Sequence, residues 1–444
     1  MNDNYSAIVT RIKNIRRHSN ADRLNCSCLY GNNVIIGLDT KEGDLGVFFP
    51  VESQLSKEFC AANDLIRRKD ENGKPAGGMF DENRRVRAQK FRGESSMGFW
   101  VPLSYFEKFA THLGVAPFHL REGDEFYNLE GHKVCEKYVV RHVHATGPAG
   151  ENRKKKKVAA TKIVEGQFHF HFDTSQLYRS LDKINPDDIV VISSKWHGTS
   201  GCFGNVLKTR KLGRIEKITR FFGVKIQETE YCYVAASRKV IKSEGSSHEG
   251  YYGGDLWNDV MQRDFKGRLK QGEMVYVEIV GQLENGKWIQ KDYDYGCPPN
   301  TNKVFVYRIT QTSPDGHVVE LSYPQMKARA LEIGHEVVPE IYYGPLCGLI
   351  PIQDTTDVGI SLWRDRVLKH LKDAYVYDQD SRFCKNVVPE EGICLRVEGS
   401  EIKVYKLKSD RFYGYETALL DKGEVDMESE EAVDNSEISD INNK

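Results

Sequence analysis

The chain has almost no net charge. Its 63 lysines and arginines face 64 aspartates and glutamates, a formal charge of −1 at pH 7. No global field therefore advertises a polyanionic partner. No apolar stretch approaches the length of a membrane span, and the polar start is no signal peptide. The expectation is an intracellular protein of cytosol or nucleus that engages no membrane. Ten cysteines are present, yet no CxxC pair occurs and no Cys/His cluster has zinc-ligand spacing. Scattered among apolar residues, they are expected to be reduced and mostly buried. No internal repeat is evident. What is there is a chain of 444 residues, 39% hydrophobic and 29% charged, enough for two or three domains with their own cores. The near-zero charge is also an average. From Asp421 onward the chain holds nine acids and two lysines, so the body without that tail is positive and suits a polyanion.

Read in order, residues 5–16 alternate like a half-buried strand. Leu24 to Tyr30 and Asn33 to Gly37 read as a hairpin across Gly31-Asn32, and residues 43–50 as a turn and a strand. Short strands with glycine turns predict a small β-barrel of OB type over residues 1–140. Within it Arg85, Arg87, Lys90 and Arg92 could line a groove that tracks phosphates, or form a solvated strand face. Residues 141–161, with Gly, Pro and the cations Arg153 to Lys157, read as a basic linker. A second domain is expected over 162–420. Residues 167–173 alternate strictly, as a strand does. His169 and His171 share a face there, and the structural role is preferred over metal ligation. Helical spacing covers 174–181, 255–270 and 361–375. Apolar strands fall at 190–195, 201–207, 231–241, 274–281, 304–309, 392–397 and 402–408. Such mixing without βαβ order predicts an α+β domain on antiparallel sheets. The acidic tail, 421–444, is expected to be disordered.

The pivotal stretch is Val190-Val-Ile-Ser-Ser-Lys195-Trp-His-Gly198. A β-branched run ends abruptly in lysine, and Gly198 lets the backbone turn closely round a ligand. A lysine at a strand end is a candidate nucleophile where burial or neighbouring cations lower its pKa. Other polar residues also stand in or beside strands: Arg238, Glu278, Glu391, Lys406 and Lys408. Together they offer cations for phosphate oxygens and two carboxylates, Glu278 and Glu391, for Mg²⁺ or Mn²⁺. Tyr307 can stack on a base.

These residues resemble the motifs of the nick-sealing, double-strand-RNA class of ATP-dependent RNA ligases, within the covalent nucleotidyltransferase superfamily. Lys195-Trp-His-Gly198 resembles the nucleophile motif, whose lysine takes up AMP. His197 and Ser200 fall within it. Ser237-Arg238, Glu278-Ile-Val-Gly281, Phe305-Val-Tyr307, Glu391-Gly-Ile-Cys-Leu-Arg396 and Lys406-Leu-Lys408 follow in family order. The amino-terminal stretches 18–24, 43–50 and 87–93 resemble the OB module fused ahead of the catalytic domain in the Deinococcus and Naegleria kind. Ser194, Ser200 and Arg308 depart from the family, which commonly has Glu, Asn and Asp there. The resemblance implies ATP as cofactor and AMP carried on Lys195. His197, Gly198, Ser200, Arg238, Glu278, Tyr307, Glu391, Arg396, Lys406 and Lys408 would line the nucleotide site. Glu278 and Glu391 would hold the metal. The implied partner is nicked RNA with 3′-OH and 5′-phosphate ends, and the implied state is a monomer. Alternative readings are a DNA ligase or other nucleotidyltransferase, and a non-catalytic RNA-binding protein.

Overall fold

A computed structural model describes residues 3–139, 162–172, 174–242, 255–376 and 379–422. The expected basic linker and nearly all of the acidic tail lie outside them. The amino-terminal unit is built on β1 (Ala7–Arg11), β2 (Leu24–Leu29), β3 (Asn32–Gly37), β4 (Leu45–Pro50) and β5 (Gly98–Pro102). β1 pairs antiparallel with β4, which pairs with β5. The β2–β3 hairpin turns one residue earlier than its sequence suggests, at Tyr30 and Gly31, with φ of 52° and 71°. Two successive positive φ values match the right-handed strand twist of a tight hairpin. Helix α1 (Ser104–Leu113) buries Phe106 and Phe109 against Phe49 and Phe59. Among the described residues the strands form several small sheets and do not close into the expected barrel.

The second unit has two antiparallel sheets, as expected. Its strands are β6 (Ile189–Lys195), β7 (Thr199–Thr209), β8 (Thr229–Ala236), β9 (Glu273–Gly281), β10 (Asn302–Thr312), β11 (Glu340–Pro345), β12 (Gly392–Val397) and β13 (Lys403–Lys408). One sheet runs β13-β12-β6-β11, and the other β8-β7-β9-β10. Helix α2 (Tyr323–Glu332) and residues 256–269 cover one face of the β8-β7-β9-β10 sheet, through Trp257, Val260, Phe265 and Met326. Helix α3 (Asp357–Tyr375) covers the other sheet with Trp363, Val367 and Leu371. Helix α4 (Asp410–Asp421) follows β13 directly.

Two expectations fail locally. The helix over 174–181 is instead a short strand, Ser175–Gln176, and two single turns. Residues 167–172 form no strand and pair with none. They lie across the β7-β9-β10 sheet, where the Tyr276 hydroxyl donates to the His169 carbonyl at 2.8 Å.

Candidate functional site

Lys195 is the last residue of β6. Val190, Val191 and Ile192 before it are buried on both faces, which fixes the strand in the sheet. The ladder sets Lys195 opposite Gly392, and Gly392 opposite Lys408. Three adjacent strand ends thus meet at one place, and Glu391 is delivered there by the residue before Gly392. Its Oε1 lies 2.6 Å from Lys195 Nζ and 3.5 Å from Lys408 Nζ. Gly392 is obligatory, with φ of 147° and no space for a side chain: an added Cβ would stand 2.1 Å from the Leu407 carbonyl oxygen.

The loop after Lys195 carries the chain to the other sheet, and each residue is tied. Trp196 stacks on Tyr295 with ring centroids 4.4 Å apart. The His197 amide donates to the Tyr295 hydroxyl at 2.7 Å, and its ring sits edge-on to Tyr293 and Phe412. The Gly198 amide donates to Glu278 Oε1 at 2.9 Å, and Gln290 Nε2 donates to the Gly198 carbonyl at 2.9 Å. A Cβ on Gly198 would meet the Ile279 carbonyl at 2.4 Å. Ser200 lies opposite Glu278 in the β7–β9 ladder. Lysine, both carboxylates and the turn therefore form one connected unit.

The electrostatics correct one expectation. Burial, the largest influence, draws the Lys195 pKa down and Lys408 adds to that, but the Glu391 carboxylate together with Cys394 and Glu278 leaves it above the ordinary lysine value. Neighbouring cations therefore do not lower the Lys195 pKa below its ordinary value. Burial raises Glu391, yet Lys195 and then Lys408 carry it below the ordinary value. Lys408 is held well above its ordinary value, burial notwithstanding, chiefly by Glu416.

The other predicted residues divide. Lys406 is buried opposite Cys394 on β12, one alternation from Lys408. Tyr307 sits in an irregularity of β10, between residues paired with Val277 and Tyr276, and meets the His171 ring edge-on at 5.0 Å. Arg238 stands just beyond β8, whose Ala236 pairs with Cys202 on β7. Arg396 points to protein partners: Glu320, Glu398 and the Leu321 carbonyl take its guanidinium. Arg308 pairs with the same Glu320 at 2.7 Å. In the amino-terminal unit Arg85 is 1% exposed and paired with Glu52 at 2.6 Å, which removes it from any solvent-facing phosphate groove. Arg87 pairs with Asp81 and Asp421. Lys90 and Arg92 remain exposed. Glu416 was not anticipated; its carboxylate lies 2.7 Å from Lys408 Nζ. No spacing rule links a strand end to the second turn of the next helix.

Among the described residues no cluster of three or more His, Cys, Asp or Glu side chains is placed to hold a metal. The chemistry of the site still fits a hard divalent cation. Glu391 Oε2 is buried and makes no hydrogen bond, which is the orphaned oxygen that such an ion takes. Mg²⁺ and Mn²⁺ accept few protein carboxylates when substrate phosphates complete their shell.

No protein-family model and no curated protein matches this chain. Solved structures do. A Naegleria gruberi RNA ligase lysine-to-methionine mutant with AMP and Mn superposes with a TM-score of 0.55 at 14% identity, covering 92% of this chain and 98% of that one. The same ligase with PPi gives 0.55 and 14%, over 91% and 97%. A lysine-to-alanine mutant with ATP and Mn gives 0.55 and 13%, over 92% and 98%. The coverage takes in both units. The chain has, over nearly its whole length, the fold of these RNA ligase structures.

Proposed function

We propose that this chain is an ATP-dependent RNA ligase that joins a 3′-OH to a 5′-phosphate. The observation that carries the reading is Lys195, Glu391 and Lys408 meeting where three strand ends converge. In the first step the Lys195 amine attacks the α-phosphorus of ATP; a P–N bond forms, the α–β P–O bond breaks, and pyrophosphate leaves. The RNA 5′-phosphate then displaces lysine and takes AMP. The 3′-hydroxyl finally attacks that phosphate, forming the phosphodiester and releasing AMP. Lys408 and Lys406 stabilise charge on the phosphate in flight, and Arg238 is assigned to the RNA or nucleotide phosphate. Tyr307 offers a face for adenine, and Gly198 keeps the loop close enough for Glu278 to anchor it. Glu391 and Glu278 would hold the divalent cation, which when bound neutralises phosphate charge and the carboxylate that keeps Lys195 protonated.

A solvent-facing helix supports an RNA partner. In Arg214–Phe221 and the turn after it, Ile215, Phe221 and Phe222 are exposed by 77%, 86% and 76%. Lys211, Arg214, Lys217 and Lys225 stand among them. Cations that track the backbone beside aromatic faces suit nucleic acid. With Phe221 and Phe222 both changed to Ala, RNA affinity is expected to fall about tenfold while AMP uptake by the protein stays unchanged. Gel-shift and adduct assays side by side check it. The reading as a whole is tested with a 5′-³²P-labelled nicked RNA duplex and matched DNA, ATP and Mg²⁺. Sealing of the RNA nick, with an AMP-capped 5′ end as intermediate, is expected. Sealing of DNA alone moves the assignment to a DNA ligase, and no capping or sealing removes it.

A further inference from the structure

Helix α4 connects the site to the amino-terminal unit. Ser409 caps it: its hydroxyl accepts the Phe412 amide at 3.0 Å and donates to the Glu390 carbonyl at 2.7 Å. The helix therefore starts in fixed relation to Glu391. Phe412 and Glu416, four residues apart, share a helix face, and both meet Lys408. The Phe412 ring centroid lies 4.9 Å from Lys408 Nζ, and the Glu416 carboxylate 2.7 Å from it. On the neighbouring side of the helix, Tyr413 packs against Val51, Ala88 and Met97 of the amino-terminal unit, and Gln176 donates to its hydroxyl at 3.3 Å. At the far end Asp421 takes Arg85 at 3.4 Å and Arg87 at 3.2 Å. Three contacts thus fix the helix, and with it the Phe412 ring and Glu416 carboxylate that meet Lys408.

We infer that Glu416 is a positioning residue for Lys408, and that the amino-terminal unit, by holding α4, serves the nucleotide step before any RNA binds. The inference rests on the ligase reading. Lys408 has three N–H donors. While Glu416 holds one, another can meet a phosphate without Lys408 collapsing onto Glu391, the other carboxylate in reach. Without the Glu416 charge Lys408 would close its 3.5 Å separation from Glu391 Oε1, the oxygen that pairs with Lys195. The arginines at 85 and 87 then belong to this support, not to an RNA groove.

The test uses the full chain, ATP labelled at the α-phosphate, Mg²⁺ and no RNA. Glu416→Gln keeps size and hydrogen bonding but removes the charge. It is expected to slow adduct formation at saturating ATP about tenfold, with the ATP concentration at half-maximal rate changed less than about threefold. Asp421→Asn, at the exposed far end, is expected to slow the same RNA-free step by a few-fold, about two to five, with its melting temperature unchanged. Rates equal to wild type for Glu416→Gln overturn the inference, as does a defect in Asp421→Asn seen only when RNA is added. If wild type itself forms no adduct, the ligase reading fails first and this inference goes with it. Normal wild-type labelling with unaffected variants removes the inference alone.

Discussion

Changing Glu391 to Ala is expected to cost about 3–5 kcal/mol of stability near neutral pH, because it leaves two buried ammonium groups without the anion they share. Lys195 and Lys408 both face that carboxylate, at 2.6 and 3.5 Å, and Glu416 compensates only Lys408. Denaturant unfolding of wild type and variant across pH checks the figure and its sign. Glu391 has a depressed folded pKa, so its contribution is present above its unfolded value, about 4.3, and is lost as pH falls through the folded value. Lys195 has a raised folded pKa. Its share is present below about 10.4 and is lost as pH rises through the folded value. The gap between wild type and variant should therefore be widest between about pH 5 and 10 and close at either end. A gap that does not change with pH would mean that Glu391 is not ionised in the folded protein. AMP uptake should fall by about a hundredfold or more as well, since phosphate charge loses its ordered surroundings.

Gly392→Ala is expected to be as damaging by a different route. At φ of 147° a side chain is strained in any surroundings, and here the new Cβ meets backbone, 2.1 Å from the Leu407 carbonyl and 2.9 Å from the Lys408 Cα. Backbone cannot turn aside as a flexible side chain can, so β12 and β13 must separate where Glu391 and Lys408 are set. A loss of about 3 kcal/mol or more is expected, together with loss of AMP uptake. Gly399→Ala is the control: its Cβ would find only the Glu401 carbonyl, at 3.7 Å, and should leave melting and activity alone. If Gly392→Ala melted with the control, the strand register given for the site would be wrong.

How much of this was legible depended on how local each determinant was. The β-branched run before Lys195, and the alternation that puts Lys406 and Lys408 on one face of β13, are local facts, and the fold keeps both. What alternation cannot give is the residue opposite. Arg396 has the right face and strand for a phosphate contact, but Glu320, 76 residues earlier, holds it at 2.7 Å. Arg85 reads as an exposed cation until Glu52 and Asp421 are found beside it. The charge state of Lys195 went the same way. The sequence shows many nearby cations, while the deciding partner is one carboxylate 196 positions on. Helix α4 was missed although Ser409 and Asp410 make a recognisable start. Gly414 and three aromatic residues in the first six positions obscure its helical spacing, and it is tertiary contact on several sides that holds it. The β2–β3 hairpin and β4 fall within a residue or two of the expected bounds, whereas the strand expected over 5–16 is only Ala7–Arg11 and β5 was not anticipated. Closure of the amino-terminal strands into a barrel depends on how the small sheets join, which turns and alternation do not specify.

The measurement that bears most directly on the account is labelling of the pure protein, freed of bound nucleotide, with ATP labelled at the α-phosphate in the presence of Mg²⁺, followed by peptide mapping. The account predicts one labelled peptide, containing Lys195 and stable to alkali as a phosphoramidate is, and no label on Lys195→Ala. Label on another residue, or no label on a protein that otherwise folds, would contradict it.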